Sequence, residues 1–357
     1  MSTGNIAAEG WPFLLGPPTV RGVLRAEPED FRVDEIPLIT PSGEGNHLWL
    51  EVEKRGANTS WVAAQLARAA GISARDVGFA GMKDRRAVTR QWFSVALQEA
   101  ENVEFTDWRI SGVRILRGVR HDRKLRRGAL RGNRFEIRLR ALSGGPDGAV
   151  DRLPERVEYL RQTGVPNYFG PQRFGRGGAN LTRGLAWLQR GGRIKRSERS
   201  LFLSAVRSGL FNRVLGERVR RGDWNRLLDG EVAMLDGSHS SFECRLPDAD
   251  LERRCAEFDL HPSGPLPGRP GRALQAAFEA GEVESQALAG CGEVVAALAN
   301  AGVEADRRSL RVRPQGLEAE LGDGELRLAF QLPAGAYATA LLRELVLTGP
   351  DTISTDA

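Results

Sequence analysis

Apolar and polar positions alternate in several short runs before residue 145. In 47–55, HLWLEVEKR, Leu48, Leu50 and Val52 recur at every second position, the period of a half-buried strand. The run 132–142, GNRFEIRLRAL, sends Phe135, Ile137 and Leu139 one way and Arg134, Glu136, Arg138 and Arg140 the other. That pattern predicts an antiparallel strand with one wet, basic face. Residues 22–35 also read as a strand, as do a short stretch at 76–80 and another at 90–97. Between them, Thr59 to Ala70 has helical spacing at Val62, Leu66 and Ala69 or Ala70, with Thr59 or Ser60 able to cap it and Gly71 placed to end it.

SGGPDG at 143–148 marks a boundary. From about 154 to 308 the period becomes helical, as at Leu201, Ala205, Leu210, Val214, Leu215 and Val219. The Pro/Gly-rich stretch 260–270 reads as an exposed link. Strand character returns at 324–332, followed by an apolar helix at 335–347. The expected fold is therefore α+β: a sheet domain built from residues 1–153 and 309–357, interrupted by a mostly helical insertion over 154–308.

Composition narrows the function. The 357 residues include 41% hydrophobic and 27% charged side chains, the mix of a soluble globular chain. No run reaches the roughly 18 apolar residues of a membrane span, and no basic segment precedes the short apolar patch near the start, so no signal peptide is expected. Three scattered cysteines, Cys244, Cys255 and Cys291, suit a reducing cytoplasm, and with four histidines they argue against a metal site. Charge is more telling. Residues 114–140 carry a net +9 and residues 173–221 a net +11, in a chain whose total is +5. Such concentration is the footprint of a polyanion binder.

Candidate chemistry centres on GFAGMKDRRAVT, 78–89. Asp84 lies on a connection between two strands, and its neighbours Lys83, Arg85 and Arg86 favour an ionised carboxylate. Gly78 and Gly81 leave room for a ligand to approach. A nucleophile or base acting on a phosphate-bearing substrate is one reading, and a salt-bridged turn aspartate is the other.

GFAGMKDRRAVTRQWFSV resembles the signature of the TruD family of pseudouridine synthases, whose Gly-(Leu/Met)-Lys-Asp-Arg loop carries the catalytic aspartate. PEDFRVDE (28–35), RGNRFEIRLR (131–140), VPNYFGPQRFGRGGAN (165–180), SAVRSGLFNRVLGERV (204–219) and LPAGAYATALLREL (332–345) resemble further family blocks in order along the chain.

The resemblance implies a pseudouridine-synthase catalytic domain with an inserted helical domain. It also implies isomerisation of uridine-13 of tRNA, with neither cofactor nor metal. Asp84 matches the essential aspartate, and Asn133 and Phe135 the residues that hold the target base. Lys83 would meet phosphate or orient the loop. Phe31, in the Pro-Glu-Asp-Phe segment, and Arg173, among interleaved Phe169, Phe174 and Arg176, are further substrate-binding candidates. Arg25 stands where the family usually has lysine, keeping the charge but changing its geometry. tRNA is the expected partner, the chain is expected to act as a cytoplasmic monomer, and no membrane contact is expected. A non-catalytic RNA-binding module is the alternative. A metal-dependent phosphodiesterase using Asp76, Asp84 and Glu35 has less support.

Overall fold

The computed structural model describes residues 6–97 and 105–349. Its organising element is a mixed ten-stranded sheet. The strands of the first half are β1 (Arg21–Leu24), β2 (Phe31–Pro37), β3 (His47–Arg55), β4 (Gly78–Phe79), β5 (Val88–Ala96), β6 (Val113–His121) and β7 (Leu130–Ser143). Across the sheet the order is Gln315–Gly322, Glu325–Pro333, β7, β2, β5, β3, β6. β2 and β5 run parallel, and the other neighbours on this path are antiparallel.

β7 is the keel. Its alternation holds as read: Phe135, Ile137 and Leu139 are buried, and the strand pairs with β2 on one edge and Glu325–Pro333 on the other. Phe135 thereby stands opposite Val33 and Phe330, so strands from both ends of the chain share one core.

β3 departs from the half-buried expectation. Leu48, Leu50 and Val52 pack under helix α1 (Thr59–Ala69), with Phe79, Phe93 and Val95. Trp49, on the opposite face, is also buried, against Trp92 and Leu125, and its indole N–H donates to the Arg123 carbonyl at 2.9 Å. The segment before β7 thus roofs a face that alternation alone reads as wet. The stretch 22–35 is broken by a single 3-10 turn, Pro28–Asp30, which separates β1 from β2.

The insertion carries a long helix, Arg196–Arg221, whose Ala205, Val206, Leu210, Phe211 and Leu215 are buried. It also carries a four-stranded sheet of Ser241–Cys244, Glu231–Leu235, Leu260–Leu266 and Asp306–Ser309. Here the expected exposed link at 260–270 is corrected, because Leu260–Leu266 is a strand whose first five residues are buried. Its prolines are tolerated because the strand pairs with one neighbour through Pro262 and with the other from Ser263 onward, leaving each proline against a single partner. Helix α2 (Leu153–Thr163) packs Leu153, Val157 and Leu160 into the core of the main sheet, although the pattern assigns it to the insertion. The expected helix at 335–347 is shorter, Ala338–Leu342, and is followed by a strand, Leu347–Thr348, parallel to β1. No helix among the described residues is long and apolar enough to cross a membrane.

Candidate active site

Asp84 sits in the connection between β4 and β5, and the backbone of that connection is fastened from three sides. The Lys83 N–H donates to Thr59 Oγ1 at 2.9 Å; Thr59 is bonded to Gln91 Oε1, whose Nε2 donates to the Gly81 carbonyl. Contrary to the sequence reading, neither Thr59 nor Ser60 caps α1; Asn58 occupies the N-cap position without a side-chain bond. From the end of β3, the Lys54 ammonium donates to the Asp84 and Ala57 carbonyls, each at 2.8 Å.

Lys83 turns away from the carboxylate beside it. Its Nζ donates to Glu35 Oε2 at 2.7 Å, and the other Glu35 oxygen accepts from the Trp92 N–H. Both side chains of this pair are almost wholly buried. The expected cationic ring of Lys83, Arg85 and Arg86 is accordingly corrected. The cation that meets Asp84 is Arg25, whose Nη2 lies 2.8 Å from Asp84 Oδ2. Asp84 Oδ1 accepts from the Arg86 backbone N–H at 2.9 Å. The Arg25 side chain is 7% exposed and that of Asp84 32%, so the carboxylate is approached from solvent and the guanidinium is not.

Arg25 reaches this position at a conformational cost. Its φ of +60° is left-handed, a region that a β-carbon disfavours. Its guanidinium lies 4.3 Å over the Phe31 ring. Phe31 meets Phe135 edge-on at 6.2 Å, and Phe135 stacks on Phe330 at 5.3 Å. One face of Phe135 is thus already covered. Asn133 Oδ1 is buried with no hydrogen-bond partner among the described residues, a state that leaves an acceptor available for a ligand donor.

Gly78 serves packing, not ligand approach as expected: a β-carbon there would lie 2.3 Å from the Leu125 carbonyl oxygen. Gly81 is roomier, with only Lys83 Nζ within ordinary contact.

A cleft of about 770 Å³ opens beside the loop, lined by Leu24 and Arg86 from the sheet domain, by Tyr168, Phe169 and Arg176 from the insertion, and by Trp11 near the start of the chain. Arg173 stands on the insertion side of Phe169, 5.3 Å from its ring, and donates to Tyr337 Oη at 3.0 Å and Ser204 Oγ at 2.9 Å. The structure therefore brings Arg25, Phe31, Asp84 and Phe135 into one contiguous set. Lys83 lies beneath that set, and Arg173 belongs to the insertion. No three His, Cys, Asp or Glu side chains among the described residues are arranged to hold a metal ion, so Asp76, Asp84 and Glu35 do not form a carboxylate cluster.

A model of the tRNA pseudouridine synthase D (TruD) family matches residues 12–190 and 192–345, nearly the whole chain. The chain belongs to the TruD family. Curated TruD relatives include tRNA pseudouridine synthase D of Methylococcus capsulatus, 48% identical over 341 residues and covering 95% of each chain. Another is that of Nitrosococcus oceani, 46% identical and covering 93% of this chain and 92% of the relative. A crystal structure of the same name from Methanosarcina mazei superposes with a TM-score of 0.71 at 22% identity, over 97% of this chain and 98% of the other, and shares the TruD fold.

Lys54, Thr59 and Gln91 were not among the site residues expected from sequence. One signal was available: Lys54 falls on the same inward period as Leu48, Leu50 and Val52, where a lysine has no place unless it is bonded.

Proposed function

We propose that this protein isomerises uridine to pseudouridine at position 13 of tRNA, with Asp84 as the catalytic group. The observation that carries the reading is the Asp84 carboxylate, part-exposed and held by Arg25, in a loop whose Arg86 lines the cleft, in a chain of the TruD family. tRNA is the partner, met through its phosphates by the exposed arginines of the basic stretches 114–140 and 173–221; Arg218, buried against Asp223 and Glu231, takes no part. The chain acts as a cytoplasmic monomer without metal or cofactor. The inserted domain is what remains of residues 154–308 once α2, packed on the main sheet, is set apart.

The target uridine leaves its stack to be reached, at a cost of a few kcal/mol that backbone contacts offset. Asp84 then either attacks the ribose C1′ or removes the C2′ proton, routes that a C2′ deuterium isotope effect separates. Either way the N1–C1′ bond breaks, the uracil turns, and a C5–C1′ bond forms as C5 loses its proton and N1 gains one. No oxidant or second substrate is needed. Asn133 Oδ1, as an open acceptor, suits the uracil N3–H while the base turns, and Phe31 and Phe135 wall the pocket. Lys83 and Arg173, both bonded within the protein, act as positioning residues.

The test is to map pseudouridine in tRNA after incubation with the purified protein and with Asp84→Asn. The expected result is modification at uridine-13 by the wild type and a loss of at least about 10³-fold in the variant, with tRNA binding retained. Turnover by Asp84→Asn comparable to wild type, or binding by the wild type without modification, overturns the proposal.

A further inference from the structure

Lys54 is a buried charged group behind the Asp84 loop with no part in the reaction above. It ends β3 on the face shared with Leu48, Leu50 and Val52, and it is fully buried. Its ammonium donates to the carbonyls of Ala57 and Asp84 at 2.8 Å each, with the Lys83 carbonyl at 3.5 Å. One nitrogen thus ties the entry to α1 to the backbone carbonyls on both sides of the Asp84 α-carbon. These acceptors are carbonyl dipoles, so the bonds are strong only while the donor carries charge.

The groups around Lys54 oppose that charge on balance. Burial is the largest influence; the Asp84 carboxylate favours the ammonium and the Lys83 ammonium disfavours it. Glu35 of β2 is bonded to Lys83 and Arg25 to Asp84, so neither is directed at Lys54. Across β5, the residue opposite is Thr89, and across β6 it is Val113, neither charged. The ammonium pKa is pushed down to about 8.

We propose that Lys54 is a positioning residue for Asp84, and that only its ammonium form holds the loop in the reactive geometry. The inference rests on the tRNA-isomerase reading. An amine offers fewer and weaker donors, so the Asp84 backbone slackens when the proton leaves. A misplacement of about 1 Å is enough to cost on the order of 10²-fold in rate.

A lysine that merely supports the fold would behave differently. Because its pKa is lower in the folded than in the unfolded chain, Lys54 makes folding more favourable as pH rises from about 8 toward 10.5. Rate and stability should therefore move in opposite directions across that window.

The experiment is a single-turnover rate on saturating tRNA from pH 6.5 to 9.5, with thermal midpoints at each pH, for wild type, Lys54→Arg and Lys54→Met. The wild-type rate is expected to fall about eightfold between pH 7.5 and 9 without loss of stability. Lys54→Arg should stay flat through pH 9. Lys54→Met should be slower by about 10²-fold at pH 7, with KM within about threefold and no limb near pH 8. A flat wild-type profile, or a limb that survives unmoved in Lys54→Arg, as titration of the substrate base would, overturns the inference. Should both variants fail to fold, the wild-type Lys54 Cε resonance decides. Its titration midpoint must coincide with that of the rate, and divergence sinks the idea. A wild-type chain that makes no pseudouridine at any pH removes the function reading and this one together; one that makes it with a flat profile removes only this one.

Discussion

The guanidinium of Arg25 lies between the ring of Phe31 and the carboxylate of Asp84, joining the start of the sheet to the loop between β4 and β5. It fixes the direction of the one solvent-reachable carboxylate of the set. Arg25→Met should lower the single-turnover rate by about 10²-fold, since the carboxylate loses its orientation and Phe31 its cover. Arg25→Lys, which keeps the positive charge, should stay within about tenfold of wild type. Equal rates for the three proteins would show the pair to be idle.

The Lys83–Glu35 pair is buried on both sides, so removing one partner strands the other. Glu35→Gln should destabilise the protein by about 3–5 kcal/mol in urea denaturation. Adding Lys83→Met should recover most of that loss without restoring full activity, because the loop anchor stays broken. An unchanged midpoint in Glu35→Gln would contradict the burial of the pair.

Lys54 sets a pH dependence of stability with a defined sign. Its folded pKa of about 8 lies below the ordinary 10.5, so between these values the unfolded chain binds the extra proton. Unfolding free energy should rise with pH there, by about 2 kcal/mol from pH 7.5 to 9.5 relative to Lys54→Met. Urea titrations at the two pH values check the difference, and a fall in wild-type stability relative to the variant would refute it.

The sheet domain was legible because its strands alternate; β7 shows Phe135, Ile137 and Leu139 on one face in both sequence and structure. The strand Leu260–Leu266 was hidden, since two prolines and a glycine mimic a link and only the identity of its neighbours makes them harmless. Within the candidate site, Asp84, Asn133 and Phe135 are proposed through the family blocks. Local sequence misplaced the charges around Asp84. Adjacent residues on an extended loop point to different sides, so Lys83 faces Glu35 while the partner of Asp84 comes from β1's end. Such pairings are set by sheet register, which a linear reading does not contain. Lys54 and Gln91 were visible as polar residues in apolar strands, and their acceptors, backbone carbonyls of a loop, were not.

Phe330 backs Phe135 from a strand that lies near the other end of the chain. During synthesis, β7 therefore waits beside an empty edge while the whole insertion is made. The wall behind the proposed base pocket closes only when Glu325–Pro333 emerges. A nascent chain stopped inside the insertion already contains Asp84 but lacks the surface against which a base could be held, so this fold postpones competence until the strand that follows the insertion has been made.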